Sequence, residues 1–284
     1  MTAEDGVVLV GVDGSPESLA AVDWAAAEAV SIGCELLICH AIPGGLPVEA
    51  LVDRLRARGG RIVRVASRRA RSAVTGLAVG IEVVSRALPA AALLDRSAEA
   101  RLLVVGSRGT GMFRGLLLGS TSQQVATHAG CPVVVVHDGS SRVTAAAAAP
   151  VTVGLDWSDH DPLLAFAFDY ADRHHRPLVA VHAYRPTEPP ARRSAYRTER
   201  SVLPRAAEEM LADATTPWRD KYPAVPVREM VVTDAPAAAL IRASARSDLV
   251  VVGPRGHGGF AGLLLGSVSQ HVLRHGRCAV AVVR

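Results

Sequence analysis

The stretch Gly106-Ser107-Arg108-Gly109, followed after nine intervening residues by Gly119-Ser120, decides how this chain of 284 residues reads. It comes directly after an apolar run, Leu102 to Val105, and leads through a helix-like segment into another, Val133 to Val136. The same arrangement returns as Gly253-Pro254-Arg255-Gly256, nine residues, and Gly266-Ser267. From Pro89 and Pro236 onward the offset between the copies is a constant 147 residues, so Gly119/Gly266, Ser120/Ser267, Gln123/Gln270, His128/His275 and Cys131/Cys278 fall in register. Toward the amino ends of the copies the offset is 142 to 143. The extra residues of the second copy therefore fall between its second and third strands, around the arginine- and proline-rich stretch Arg185 to Pro226. A fixed offset held this long marks an internal duplication, here of a unit of roughly 140 residues.

Outward from the glycines, each copy alternates strand and helix. Val7 to Val12 is short, continuous and β-branched, as a parallel strand covered on both faces requires, and it ends in a carboxylate, Asp13. Asp13-Gly14-Ser15-Pro16-Glu17 then supplies a turn, a serine N-cap, a proline at the first helical position and an acid in the first turn. These predict a helix to about Ser31, closed by Gly33. Cys34 to His40 reads as the second strand, and Val48 to about Val74 as a long arginine-dense helix, broken or frayed at Gly59-Gly60. Ala78 to Ser85 reads as the third strand, Pro89 to about Ala100 as a helix, and Leu102 to Val105 as the fourth strand. A helix from about Ser120 to Ala129 and a closing strand at Val133 to Val136 complete the unit. The alternation predicts an open, doubly wound α/β sheet. Asp138 to Pro150, with Gly139-Ser140-Ser141 and an alanine run, reads as a linker. The expected domains are thus residues 1–137 and 151–284, joined by 138–150. In the second, Val151 to Leu155 leads into Asp156-Trp157-Ser158, and Leu178 to His182 matches Leu36 to His40.

The placement of the glycines points to phosphate. Gly106 follows a strand, at the carboxyl edge where open α/β sheets bind ligands, and without a Cβ it lets a ligand approach the backbone. Gly109 permits a positive φ, which would turn successive N–H groups inward as an anion nest. Gly119-Ser120 opens a helix whose free N–H groups and positive dipole end favour an anion. Ser120-Thr121-Ser122-Gln123 and Ser267-Val268-Ser269-Gln270 also fit a capping box, so the serines have a structural role open to them as well.

Other chemistries fit less well. No GxxxxGK[ST] is present, and Lys221 is the single lysine, which excludes a P-loop. A would-be GxGxxG at Gly109 and Gly111 has Arg114 in its third place and follows the fourth strand, where a dinucleotide fold uses the first. Cys34, Cys39, Cys131 and Cys278 lie in or beside apolar runs without metal-ligand spacing and read as buried, reduced thiols. His128 and His275 read as helix C-terminal residues favourably placed at the dipole. No serine or histidine is placed by sequence to make Asp13 a catalytic base. The arginines from Arg54 to Arg71 and from Arg192 to Arg205 read as solvated helix faces, with docking of a protein as the functional alternative. Net charge is only +4, so nucleic acid is not the expected partner. The amino terminus lacks a signal-peptide pattern and no apolar run is long enough to span a membrane, so the chain reads as cytoplasmic.

With G-x2-G-x9-G-[ST] at Gly106/Gly109/Gly119/Ser120 and Gly253/Gly256/Gly266/Ser267, and Asp13 and Asp156 ending the first strands, the chain resembles the universal stress protein family, specifically its tandem members. The resemblance covers nearly the whole chain. It implies two Rossmann-like domains of the HUP (adenine nucleotide α-hydrolase-like) kind, each a five-stranded parallel sheet of order 3-2-1-4-5 with helices on both faces. It also implies ATP with Mg²⁺ at the strand carboxyl ends. Val12 and Asp13, and Leu155 and Asp156, would face ribose and adenine. Ala41 and Ala183, just past the second strand, would meet adenine through backbone. Gly106, Gly109, Gly119, Ser120 and Thr121, with Gly253, Gly256, Gly266, Ser267 and Val268, would hold ribose and phosphates. Closing strands in the family often pair with those of another domain, which makes Val133 to Val136 and Val280 to Val283 candidate pairing edges and a homodimer the expected assembly. Trp157 in place of Gly14, and Pro254 in place of Ser107, set the second site apart, the proline removing a potential N–H donor. The function expected is a nucleotide-dependent regulator or sensor of the stress response. The alternatives are a nucleotide-free α/β dimerisation module and a slow Mg²⁺-dependent ATPase.

Overall fold

A computed structural model describes residues 6–44, 49–86, 88–110, 117–137, 149–157, 160–185, 199–256 and 264–284. The chain divides into two compact units, one of Met1–Thr144 with Leu273–Val282, the other of Ala145–Val272 with Val283–Arg284. The linker read at 138–150 lies outside the described residues up to 148.

The first unit opens with β1 (Val7–Gly11) and α1 (Pro16–Ile32). Ser15 caps α1, its hydroxyl accepting the Ser18 N–H, and Gly33 ends it at φ 81°. Then come β2 (Leu36–Pro43), α2 (Glu49–Ala73) and β3 (Val79–Arg86). Next are α3 (Pro89–Ser97), β4 (Ala100–Gly106), α4 (Ser120–His128) and β5 (Val133–Val136). The strands lie in the order β3-β2-β1-β4-β5, all parallel: the open sheet that the alternation predicted, in the order that the family resemblance implies. The core is the sheet's own apolar run, with Val8, Leu9, Val10, Leu103, Val104 and Val133 to Val135 wholly buried.

The second unit repeats the order with β6 (Val151–Gly154), α5 (Asp161–Arg173), β7 (Leu178–Tyr184) and α6 (Glu199–Lys221). It continues with β8 (Val227–Thr233), α7 (Pro236–Ser244), β9 (Leu249–Val252) and α8 (Ser267–His275). The strands β9, β6, β7 and β8 are adjacent in that order and parallel. The duplication extends to packing: Leu93 of α3 sits where a Cβ on Gly11 would be, and Leu240 of α7 does the same to Gly154.

The last strand, β10 (Ala279–Val282), belongs to the first unit, where it runs antiparallel to β5 with Val280 opposite Val135 and Val282 opposite Val133. Both edges of β5 are therefore occupied, by β4 and β10. The candidate pairing edges find each other within the chain, and a second copy would have to use another surface. All four residues of each strand are buried, which is why neither run could stand at an open edge.

Two expected boundaries change. The helix α2 runs unbroken through Gly59-Gly60, because Gly59 is buried against the His40 ring, 2.7 Å from where a Cβ would stand. Its glycine makes room for a neighbour and does not end the helix. Ala41 and Ala183 lie inside β2 and β7, paired with Val84 and Val232, and not beyond the strands.

Candidate functional site

The chain reverses direction across the sheet between β1 and β4, which are neighbours although β2 and β3 separate them in sequence. Such a switch point leaves a crevice at the strand carboxyl ends. Asp13 and the loop after Gly106 meet there.

Asp13 stands at the end of β1 and is held from several sides. Its Oδ1 accepts the Ser15 N–H at 2.9 Å and its Oδ2 accepts the Thr110 N–H at 2.6 Å, across the crevice. Burial pushes the carboxyl up, but donation from Ser15, Thr110 and Ser18 outweighs it and holds Asp13 below the ordinary 3.8. Asp13 is thus a settled anion and a poor proton acceptor.

The glycines have reasons different from those expected. A Cβ on Gly106 would stand 2.7 to 2.9 Å from the backbone of Glu17 and Ser18, so this glycine admits the first turn of α1 and leaves no open approach for a ligand. Gly109 has no positive φ; among the described residues, the glycines with one are Gly14, Gly33 and Gly76. A Cβ on Gly109 would collide with the Asp13 carboxylate, and one on Gly256 with that of Asp156. The glycines at these positions let the strand-end acid lie on the loop.

The capping box is also displaced by one residue. Gly119 is the N-cap of α4, at φ −69° and ψ 150°, and Ser120 is the first helical residue. Gln123 donates its N–H to the Gly119 carbonyl at 3.0 Å, and Gln270 does so to Gly266. The serine that ties the helix down is Ser122, whose hydroxyl donates to the Gly106 carbonyl at 2.6 Å; Ser269 donates to Gly253 in the same way. These two escaped the sequence reading although they stand at the 147-residue offset. The loop closes on itself through Gly119 N–H to the Ser107 carbonyl at 2.8 Å, matched by Gly266 to Pro254 at 2.6 Å.

The Ser107 N–H donates to the Val136 carbonyl, so it belongs to the sheet and is not available to a ligand. Pro254 therefore removes no ligand donor. Arg108, on the same loop, pairs with Glu17 of α1 at 3.1 Å.

Val12 is buried with both backbone groups engaged: its N–H donates to Cys39 and its carbonyl meets His40 Nδ1 at 2.7 Å. Leu155 repeats this with Val181 and His182 Nδ1, the latter at 3.0 Å. Thr121 is half-buried and Ser120 exposed at the mouth of α4. Residues 111–116, within the nine-residue stretch between Gly109 and Gly119, lie outside the described residues, as do 257–263.

A family model for the universal stress protein family matches the chain twice, over residues 6–137 and 149–284. The chain belongs to the universal stress protein family. A universal stress protein of Mycobacterium tuberculosis is 37% identical over 303 residues, covering 98% of this chain and 96% of its own. One of Mycobacterium bovis is 38% identical over 288 residues, with the same coverage. The crystal structure of a universal stress protein from Archaeoglobus fulgidus shares the fold, with a TM-score of 0.70 at 20% identity, covering 99% of this chain and 96% of that one.

Within this universal stress protein the second site differs at its entrance. Gly14 turns at φ 86° beneath Ile62 of α2, whereas Trp157 adopts no such φ. Ser15, two residues past Asp13, caps α1, but α5 is preceded by His160, four residues past Asp156. The Trp157 ring stands edge-on to His182, centroids 5.0 Å apart, and remains 45% exposed. Ser158, read as the counterpart of Ser15, lies outside the described residues. His128 and His275 end α4 and α8 as expected; Cys39, Cys131 and Cys278 are buried, with burial pushing the Cys39 thiol up to about 12, whereas Cys34, expected to be buried with them, is only half-buried between α1 and β2.

Proposed function

We propose that this universal stress protein binds an adenine nucleotide, ATP with Mg²⁺, at the crevice of its first unit, and that occupancy regulates which surface it offers to partners. The observation that carries this reading is the convergence of an anionic strand end, a glycine loop and a helix N-terminus at the sheet's switch point. Ser120 and Thr121 open α4 with N–H groups that have no partner inside the helix, as a phosphate requires. Asp13 would take ribose hydroxyls, since a carboxylate held ionised is an acceptor. Val12 and Ala41 would line the base. Gly106 and Gly109 shape the loop through packing, Gly119 is the N-cap of α4, and the N–H groups that follow Gly119 are what a phosphate would meet.

Among the described residues no three His, Cys, Asp or Glu side chains gather to hold a metal. Mg²⁺ would therefore ride on the triphosphate with few protein ligands, as is common for this ion. Asp156, Leu155, Ala183, Gly253, Gly256, Gly266, Ser267 and Val268 form the second, altered site. No helix among the described residues is long and apolar enough to cross a membrane, and we place the protein in the cytoplasm.

Hydrolysis is not favoured, because hydrogen bonding already stabilises Asp13 as an anion and weakens it as a base. One observation favours a nucleotide-free interaction module: Gly106 and Gly109 are both required by internal packing. Heat-denaturing the purified protein and analysing the released small molecules separates the readings. Adenine nucleotide in the supernatant, with a rise in Tm on adding Mg²⁺-ATP, is expected; neither appearing would leave the module.

A further inference from the structure

The second helices of the two copies turn opposite charges outward. The helix α2 buries Gly59, Val63, Ala66 and Ala70, and presents exposed Arg54, Arg61, Arg64 and Arg68 on the opposite side. Arg54, Arg61 and Arg68 recur every seventh residue, about 10 Å along the axis. Among the described residues none of the four has a carboxylate partner, since the ion pairs of this helix are Arg56–Asp53 and Arg69–Asp23. Leu51 and Val65, 42% and 46% exposed, place apolar surface beside the arginines.

The helix α6 does the reverse. It buries Ala207, Leu211 and Thr215 and turns Glu209, Asp213 and Asp220 the other way. Arg205 holds Glu209 at 3.0 Å, while Asp213 and Asp220 have no cation among the described residues. They too are seven residues apart, so the carboxylates on one helix repeat at the interval of the guanidinium groups on the other.

We propose that α2 of one copy docks on α6 of a second copy, and that this contact, and not strand pairing through β5, mediates self-association. The matched interval and the apolar residues beside the stripe favour a helix as occupant over a polyanion, which would need no carboxylate register. A net charge of only +4 fits a chain that balances its own basic and acidic surfaces. The proposal is independent of nucleotide binding.

Sedimentation of the full chain at low and high salt tests it. Association at low salt should weaken ~10-fold or more at ~0.5 M NaCl, as expected for exposed charge pairs. Arg54→Glu, Arg61→Glu and Arg68→Glu together should abolish self-association, as should Asp213→Arg with Asp220→Arg, each variant keeping its circular dichroism and melting curve. Mixing the two variants should restore association, because the reversed α2 of one then faces the reversed α6 of the other. Arg61→Gln with Arg68→Gln is a milder second variant should the triple reversal unfold. A parent that stays monomeric at low salt overturns the proposal, as does association untouched by either reversal or a mixture that fails to associate. Loss of retention on DNA by the α2 variant, with self-association intact, would assign the stripe to a polyanion and overturn it equally.

Discussion

The two strand-end sites hold the same internal contacts and differ at the entrance. Asp13 lies on Gly109 as Asp156 lies on Gly256, and Ser122 ties to Gly106 as Ser269 ties to Gly253. His40 and His182 each reach the carbonyl of the residue before the aspartate. What changes is the turn above them: Gly14 in one, Trp157 and a longer approach to the helix in the other. Contacts that hold the loop to the strand therefore survive duplication better than the surface a ligand would cross. The difference also reaches the strand-end glycines. Around Gly106 a Cβ would meet helix backbone at 2.7 Å, whereas around Gly253 the nearest atom is the Arg255 carbonyl at 3.1 Å. Gly106→Val should cost more than the ~1–3 kcal/mol usual for overpacking, since backbone must move, and Gly253→Val should cost less. Urea denaturation of the two variants compares them directly, and equal losses would break the asymmetry.

The next effect concerns the ligand. Asp13→Asn keeps the side-chain shape but removes the charge that receives Thr110 N–H, so Mg²⁺-ATP affinity should fall ~10-fold or more, about 1.4 kcal/mol. Asp156→Asn should matter less if Trp157 narrows the second entrance. Calorimetric titration of both variants reads affinity and stoichiometry together. Unchanged binding in Asp13→Asn would remove that carboxylate from the site.

Much of this was legible in the sequence, for a physical reason. Parallel strands buried on both faces must be continuous apolar runs, so Val7 to Val12 and Val133 to Val136 announced themselves, whereas their neighbours in the sheet came only from the family resemblance. The glycines were legible in place but not in purpose. Sequence cannot tell a glycine kept for φ from one kept for a neighbour, and the neighbour of Gly109 is Asp13, far away in the chain. Gly59 misled for the same reason, looking like a helix breaker while accommodating a histidine. Ser122 was hidden because a capping-box pattern fits Ser120 equally well, and only the backbone shows that Gly119 is the cap.

A smaller effect would sharpen the contrast at the entrance. Trp157 is 45% exposed and Trp24 3%, so a ligand entering the second site should change the emission of the exposed indole, and one entering the first should not. Trp157→Gly, by restoring the residue found at Gly14, should raise second-site affinity by a few-fold, within ~1 kcal/mol. ATP binding that quenches the parent strongly at the first equivalent added would reverse the assigned order of the sites.

The smallest expected effect lies where the chain's last strand joins the first unit. His137, just past β5, is buried with Nδ1 2.9 Å from the Cys278 carbonyl and Nε2 2.9 Å from the Leu273 carbonyl. Burial pushes its pKa below the ordinary 6.5, against the two carbonyls, which favour the proton, while the Arg108 charge opposes it. With the folded value depressed, the unfolded chain takes up the proton first, so stability is fully present above pH 6.5 and declines as pH falls through the folded value. The Tm of the parent should therefore drop on acidification below pH 6.5, and His137→Gln, which cannot titrate, should flatten that part of the profile. A parent that gains stability over the same interval would mean that the two carbonyls outweigh burial and hold His137 as the cation.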